Sequence, residues 1–121
     1  MDLGIFSLSL GVKDIEKSLE FYQKFGFKVI DGGHMNEAFA DNGDQKWRIL
    51  ESPSVKIGLF QGMFDENIIT FIPTDVRSIQ KELQKQGVEL LSEADLNTKG
   101  PASISLKDPD GNSILIDQHN E

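Results

Sequence analysis

A repeat constrains this chain more than any other feature. Asp14-Ile15-Glu16-Lys17-Ser18-Leu19 leads on to Gly26-Phe27-Lys28-Val29-Ile30. Sixty-one residues later, Asp75-Val76-Arg77-Ser78-Ile79 leads on to Gly87-Val88-Glu89-Leu90-Leu91. In both copies an Asp opens a helical pattern, a Gly follows twelve residues on, and a short apolar run comes next without a gap. The offset is half of the 121-residue length, so it predicts two similar modules, 1–61 and 62–121.

The periodicity fills in each module. Phe6, Leu8, Leu10 and Val12 alternate with Ser7, Ser9 and Gly11, the pattern of a half-buried strand whose apolar side meets a helix. Asp14 and Asp75 read as helix N-caps, because a carboxylate there accepts from backbone N–H groups that lack intrahelical partners. Ile15, Leu19, Tyr22 and Phe25 form the stripe of the first helix, and Val76, Ile79 and Leu83 that of the second. Gly26 and Gly87 end them. Further strands are expected at 27–30, 37–40, 47–50 and 55–60, then at 68–72, 88–91, 101–106 and 113–117. Asp108-Pro109-Asp110-Gly111 is the turn of the last hairpin, and Ser92 to Gly100 is a polar loop.

Composition excludes several classes. Without cysteine there is no disulfide, no thiolate metal site and no thiol nucleophile, which suits a reducing, cytoplasmic compartment. The formal charge of -8, with no basic patch, argues against nucleic acid. It is the charge of a well-solvated surface or of a cleft tuned to neutral or cationic ligands. Neither a signal peptide nor a membrane span is expected from the sequence.

Val12-Lys13-Asp14-Ile15-Glu16-Lys17-Ser18-Leu19-Glu20-Phe21-Tyr22, Phe25-Gly26-Phe27 and Lys107-Asp108-Pro109-Asp110-Gly111-Asn112 resemble the vicinal oxygen chelate superfamily. That group contains glyoxalase I, extradiol dioxygenases, fosfomycin-resistance enzymes and bleomycin-resistance proteins. The resemblance implies an α+β fold in which two βαβββ modules form a U-shaped half-barrel sheet with helices on the convex side. It also implies a homodimer. In enzyme members, His, Glu or Gln side chains on the concave face hold a divalent metal with open positions. The positions matching those ligands here are Ser7, Gly58, Ile68 and Leu115. Of these only Ser7 has a side-chain donor, a weak one, so no metal cofactor is expected there. Rebuilding a centre would fall to His34, His119, Glu37, Asp41, Glu51 or Asp117, each of which also reads as an ordinary surface polar residue.

Alternation assigns the faces. Ser7, Ser9 and Gly11 turn away from the first helix, with Lys56, Gly58 and Phe60. Ile68, Thr70 and Ile72 do so in the second module, with Ser113, Leu115 and Asp117. Ser7, Ser9, Phe60, Thr70 and Asp117 are the expected ligand-binding residues. Trp47, the one tryptophan, reads as core, as dimer interface or as a stacking surface for a planar ligand. Two functions stay open. One is a metal-free protein of the bleomycin-resistance kind that binds or sequesters a small organic, cationic molecule. The other is a glyoxalase-like lyase, isomerase or dioxygenase with a carboxylate metal site or no metal.

Overall fold

A computed structural model describes residues 1–121. They fall into two compact units, Ser7–Asn67 and Ile68–Glu121, the latter together with Met1–Phe6. The first unit contains β1 (Ile5–Val12) from Ser7 onward, α1 (Ile15–Gln23), β2 (Lys28–Gly32), β3 (Lys46–Glu51) and β4 (Lys56–Gln61). The second contains β5 (Ile68–Ile72), α2 (Val76–Lys85), β6 (Ala102–Lys107) and β7 (Ser113–Gln118). Neither helix is long and apolar enough to cross a membrane.

Each unit is an open, mixed sheet with a helix on one face. In the first, β4 runs parallel to β1 and antiparallel to β3, which pairs with β2. Leu8, Leu10, Val12, Ile57, Leu59 and Leu50 turn to α1, where Ile15, Leu19 and Tyr22 meet them. In the second, β7 runs parallel to β5 and antiparallel to β6. Ile104, Leu106, Ile114 and Ile116 pack against Val76, Ile79 and Leu83 of α2. The alternation read from the sequence therefore assigns these helix-facing sides correctly.

The helix starts are alike at atomic level. Asp14 Oδ1 accepts from the Glu16 and Lys17 amides, and Asp75 Oδ1 from the Ser78 amide. The amide of the first helical residue points back at the sheet, and a glutamine at the end of a strand takes it. Gln61 Oε1 accepts from Ile15 N at 2.9 Å, and Gln118 Oε1 from Val76 N at 3.0 Å. Each glutamine also donates to a loop carbonyl, Gln61 to Asp44 O and Gln118 to Asn120 O. The helices end where expected, with Gly26 at φ 90° and Gly87 at φ 83°, left-handed values that a Cβ disfavours.

Four expectations are corrected. Residues 88–91 form no strand. Gln80 stands where the repeat has Leu19, and its buried amide donates to Ala94 O and accepts from Ala94 N. Val88 N is bonded back to Leu83 O, and only Leu91 and Ser92 reach β6, both through Ser105. The chain is thus drawn to the helix and meets the sheet edge only at those two residues; seven strands form in all, against nine expected. Residues 37–40 are not a strand either. Glu37–Phe39 is a 3-10 turn capped by Asn36, and Phe39 O accepts from the Trp47 indole at 2.6 Å. Phe25 lies beyond the last helical residue, 63% exposed, edge-on to Phe21 and Tyr22. Phe6, at the start of β1, is 42% exposed and meets Phe71 instead of α1.

The hairpin turn is as expected. Asp108 accepts from the Asp110 and Asn112 amides and from the Asn112 side chain. The Asn112 side-chain bond, followed by its backbone bond, holds the Asp108 carboxyl below its ordinary pKa. The folded state therefore binds that proton less readily than the unfolded chain. Its stabilising effect is complete above the ordinary Asp range and fades as pH falls through the lower folded value.

Two outcomes follow. Gln118→Leu leaves the buried Val76 amide unpaired and should cost about 1–3 kcal/mol in denaturant melts, with Gln61→Leu costing less because its bond is only part-buried. Equal costs near zero would show that the clamps contribute nothing. Gly111 sits at φ 87°, so Gly111→Val should cost about 1–3 kcal/mol through backbone strain, read by the same melts.

Candidate functional site

The face that α1 leaves open in the first unit is built by three strands. Cross-strand rows run Ser9–Gly58–Ile49 and Gly11–Phe60–Trp47, with Ser7–Lys56–Glu51 at the end. Ser7, Ser9 and Phe60, all expected ligand-binding residues, therefore share one face. Ser7 and Ser9 are buried at 5% and 7% exposure, while Phe60, Trp47 and Lys56 stay half-buried.

Two glycines give this face its relief. A Cβ on Gly58 would lie 2.4 Å from Phe60 Cε2, so the Phe60 ring bends back over the bare backbone of its own strand. A Cβ on Gly11 would lie 2.7 Å from Phe64 O and 3.2 Å from Glu66 O, so the segment after β4 passes directly over β1. The rings line up in consequence. Trp47 and Phe60 are parallel within 6°, centroids 6.4 Å apart, and Phe60 meets Phe64 at 5.3 Å. Trp47 is fixed further by its indole bond to Phe39 O. Its backbone O accepts from Gly33 N and from Arg48, whose guanidinium is paired with Asp41 at 2.9 Å.

In the second unit, alternation places Thr70 and Asp117 on the face opposite α2. A row runs Thr70–Leu115–Ser105, and Ser103 stands opposite Asp117. Thr70 is buried at 6% exposure. Asp117 Oδ2 lies 2.9 Å from His119 Nε2. The tail that carries His119 is anchored, since Gln118 donates to Asn120 O and Asn120 donates to Thr74 O. Sequence reasoning treated His119 as an exposed chain-end residue and missed this pairing. The i, i+2 spacing on a strand end was its available signal.

The positions that the resemblance assigns to metal ligands do not fit a divalent ion. Ser7 offers one neutral hydroxyl, and Gly58, Ile68 and Leu115 offer no side-chain donor. At position 58 the space is taken by the Phe60 ring. The remaining candidates do not converge, and no three His, Asp or Glu side chains form a metal-holding group. Asp41 is committed to Arg48 and Asp117 to His119. Glu51 stands opposite Lys56 in the strand register and is exposed. His34 and Glu37 line a shallow pocket with Gly33, Met35, Asn36 and Ala40.

Comparison with known proteins agrees with this architecture. A methylmalonyl-CoA epimerase from Mycobacterium tuberculosis superposes with a TM-score of 0.71 at 17% identity, over 98% of this chain and 89% of that one. A methylmalonyl-CoA epimerase in complex with methylmalonyl-CoA and NH4+ gives 0.64 at 18% identity, over 96% and 94%. A glyoxalase/bleomycin resistance protein/dioxygenase superfamily member from Vibrio splendidus 12B01 gives 0.64 at 16% identity, over 93% and 97%. At such identities these likenesses establish the α+β fold alone. The sequence profile of one family matches residues 4–116, nearly the whole chain. The chain belongs to the Glyoxalase/Bleomycin resistance protein/Dioxygenase superfamily.

Proposed function

We propose that this protein binds a small organic molecule, cationic in preference to anionic, without using the metal positions of its superfamily. One observation carries the reading. Where a ligating side chain would project at position 58, there is a bare glycine with an aromatic ring laid over it. A divalent ion needs several charged or imidazole donors to offset its dehydration, and a lone Ser7 hydroxyl does not supply them. What remains suits an organic ligand: half-buried rings, with Ser7, Ser9 and Thr70 as hydroxyls and Asp117 as a carboxylate. The net charge of -8 favours a positive ligand over a negative one.

A second reading, a glyoxalase-like enzyme, is favoured by the His119–Asp117 pair. An imidazole oriented by a carboxylate is equipped to move a proton. Structures of methylmalonyl-CoA epimerase holding CoA esters show that relatives of this fold take small ligands. The protein is further proposed to act as a homodimer in the cytoplasm, with exposed Phe21, Phe25, Met35 and Phe39 as apolar surface available to a second copy.

Calorimetric titration with nickel and with zinc should show no uptake at micromolar concentration, while a screen of organic cations should raise the melting temperature. Tight binding of one metal equivalent, lost in Asp117→Asn or Glu51→Gln, would replace the binding reading with the enzyme. Sedimentation should give twice the 13.5 kDa chain mass, and a monomer at micromolar concentration would refute the dimer.

A further inference from the structure

We infer that Asn42–Gly43 is a self-modification site, at which the Asn42 side chain closes onto the Gly43 amide, loses ammonia and leaves an isoaspartate that loosens the start of α1.

The pair sits in a two-residue turn that leads into β3. The ends of the turn are tied: Asn42 N donates to Gln45 O at 2.9 Å, and Gln45 N to Asn42 O at 2.7 Å. The two groups that would react are not. Neither the Asn42 carboxamide nor the Gly43 N–H has a hydrogen-bond partner in the chain, and both residues are exposed. Gly43 brings no side chain to shield its own nitrogen, and no atom lies within 4 Å of the place a Cβ would take. The other asparagines lack this combination. Asn36, Asn112 and Asn120 have engaged side chains, with the Phe39 amide, Asp108 and Thr74 O. Asn67 and Asn97 precede the β-branched Ile68 and Thr98, which crowd the attacking nitrogen, and Thr98 N is already given to Asp95 O.

The chemistry balances with water alone. Gly43 N gives its proton to solvent base and bonds to Asn42 Cγ; the Cγ–Nδ2 bond breaks and ammonia leaves. Water then opens the five-membered imide at one of its two carbonyls. Opening at Asn42 Cγ gives an aspartate in a normal main chain. Opening at the Asn42 backbone carbonyl sends the main chain through the side chain, which adds one methylene and leaves a free carboxylate. Either product is one charge more negative than the present -8.

The added methylene falls where the structure has no slack. Asp44 O accepts from Gln61 Nε2 at 3.2 Å, and a Cβ on Gly62 would lie 2.5 Å from that same oxygen. Gln61 Oε1 takes the Ile15 amide at the start of α1. On the other side of the turn, Asp41 holds Arg48 and the Trp47 amide. Lengthening the turn draws Asp44 O away from Gln61 and weakens the junction with α1, while Trp47, the single tryptophan, reports the change.

Folded protein kept at mildly alkaline pH should release ammonia and show Asn42 converted in the tryptic peptide Val29–Lys46, located by fragmentation, with its isoaspartyl form resolved by chromatography. Asn36, in the same peptide, should stay intact. Asn42→Gln, which would have to close a larger ring, should abolish the conversion. The converted protein, separated by anion exchange, should melt a few degrees lower and shift Trp47 emission. Asn42→Asp adds the charge without the methylene and should melt with wild type. An Asn42 that stays intact in the folded protein while the urea-unfolded chain converts shows that the turn holds the two groups apart, and overturns the site. Conversion of Asn36, Asn67 or Asn97 as fast as Asn42 in the folded protein overturns its selectivity. A converted protein that melts with wild type, or an Asn42→Asp protein that melts as low as the converted one, overturns the link to α1.

Discussion

Both units depend on one hydrogen bond made twice. A helix that lies on a sheet starts with amide groups that have no partner within the helix, and the first of them faces the sheet where water is scarce. Gln61 and Gln118, each at the end of a strand that runs parallel to its unit's first strand, supply the acceptor. The Asp caps serve the amides further round the turn, so the glutamines and aspartates divide the work. Because each glutamine amide also donates to a loop carbonyl, helix start, strand end and loop are fixed together. That junction sets how each helix seats on its sheet, and hence which strand face stays open.

The open face of the first unit is shaped by what two residues lack. Gly11 lets the chain after β4 cross above β1, and Gly58 lets Phe60 fold back over β4. Side chains at either place would raise a different surface. The same superfamily framework can therefore present metal donors or rings from one sheet, and in this chain position 58 presents no donor while its neighbour's ring takes the space. Fold and chemistry are set by different residues, so membership of the superfamily does not by itself name an activity.

Much of the architecture was legible because it rests on local patterns. The Asp-to-Gly spacing located both helices, and alternation in 8–12 and 113–117 assigned the sheet faces, with Phe6 the exception. The Asp-Pro-Asp-Gly turn was readable because its residues impose their own dihedrals. The failures share a cause. Residues 88–91 carry a strand-like run, but the decision was made by Gln80, a polar residue eight positions earlier that captures Ala94. Residues 37–40 were decided by the Trp47 indole. Phe25 was assigned to a stripe whose helix stops before it reaches the core.

The candidate site divides in the same way. Sequence alone determined that Ser7, Ser9 and Phe60 share a face, that Thr70 and Asp117 share another, and that the superfamily's metal positions carry Ser, Gly, Ile and Leu. Those statements need only strand period and residue identity. Tertiary structure alone decided that Phe60 lies over Gly58, that Trp47 is parallel to it, and that Phe64 is held above Gly11. A strand pattern gives the side on which a side chain emerges. The direction it takes from there depends on its rotamer and on neighbours brought in from other strands, and a sequence read along its length does not contain them.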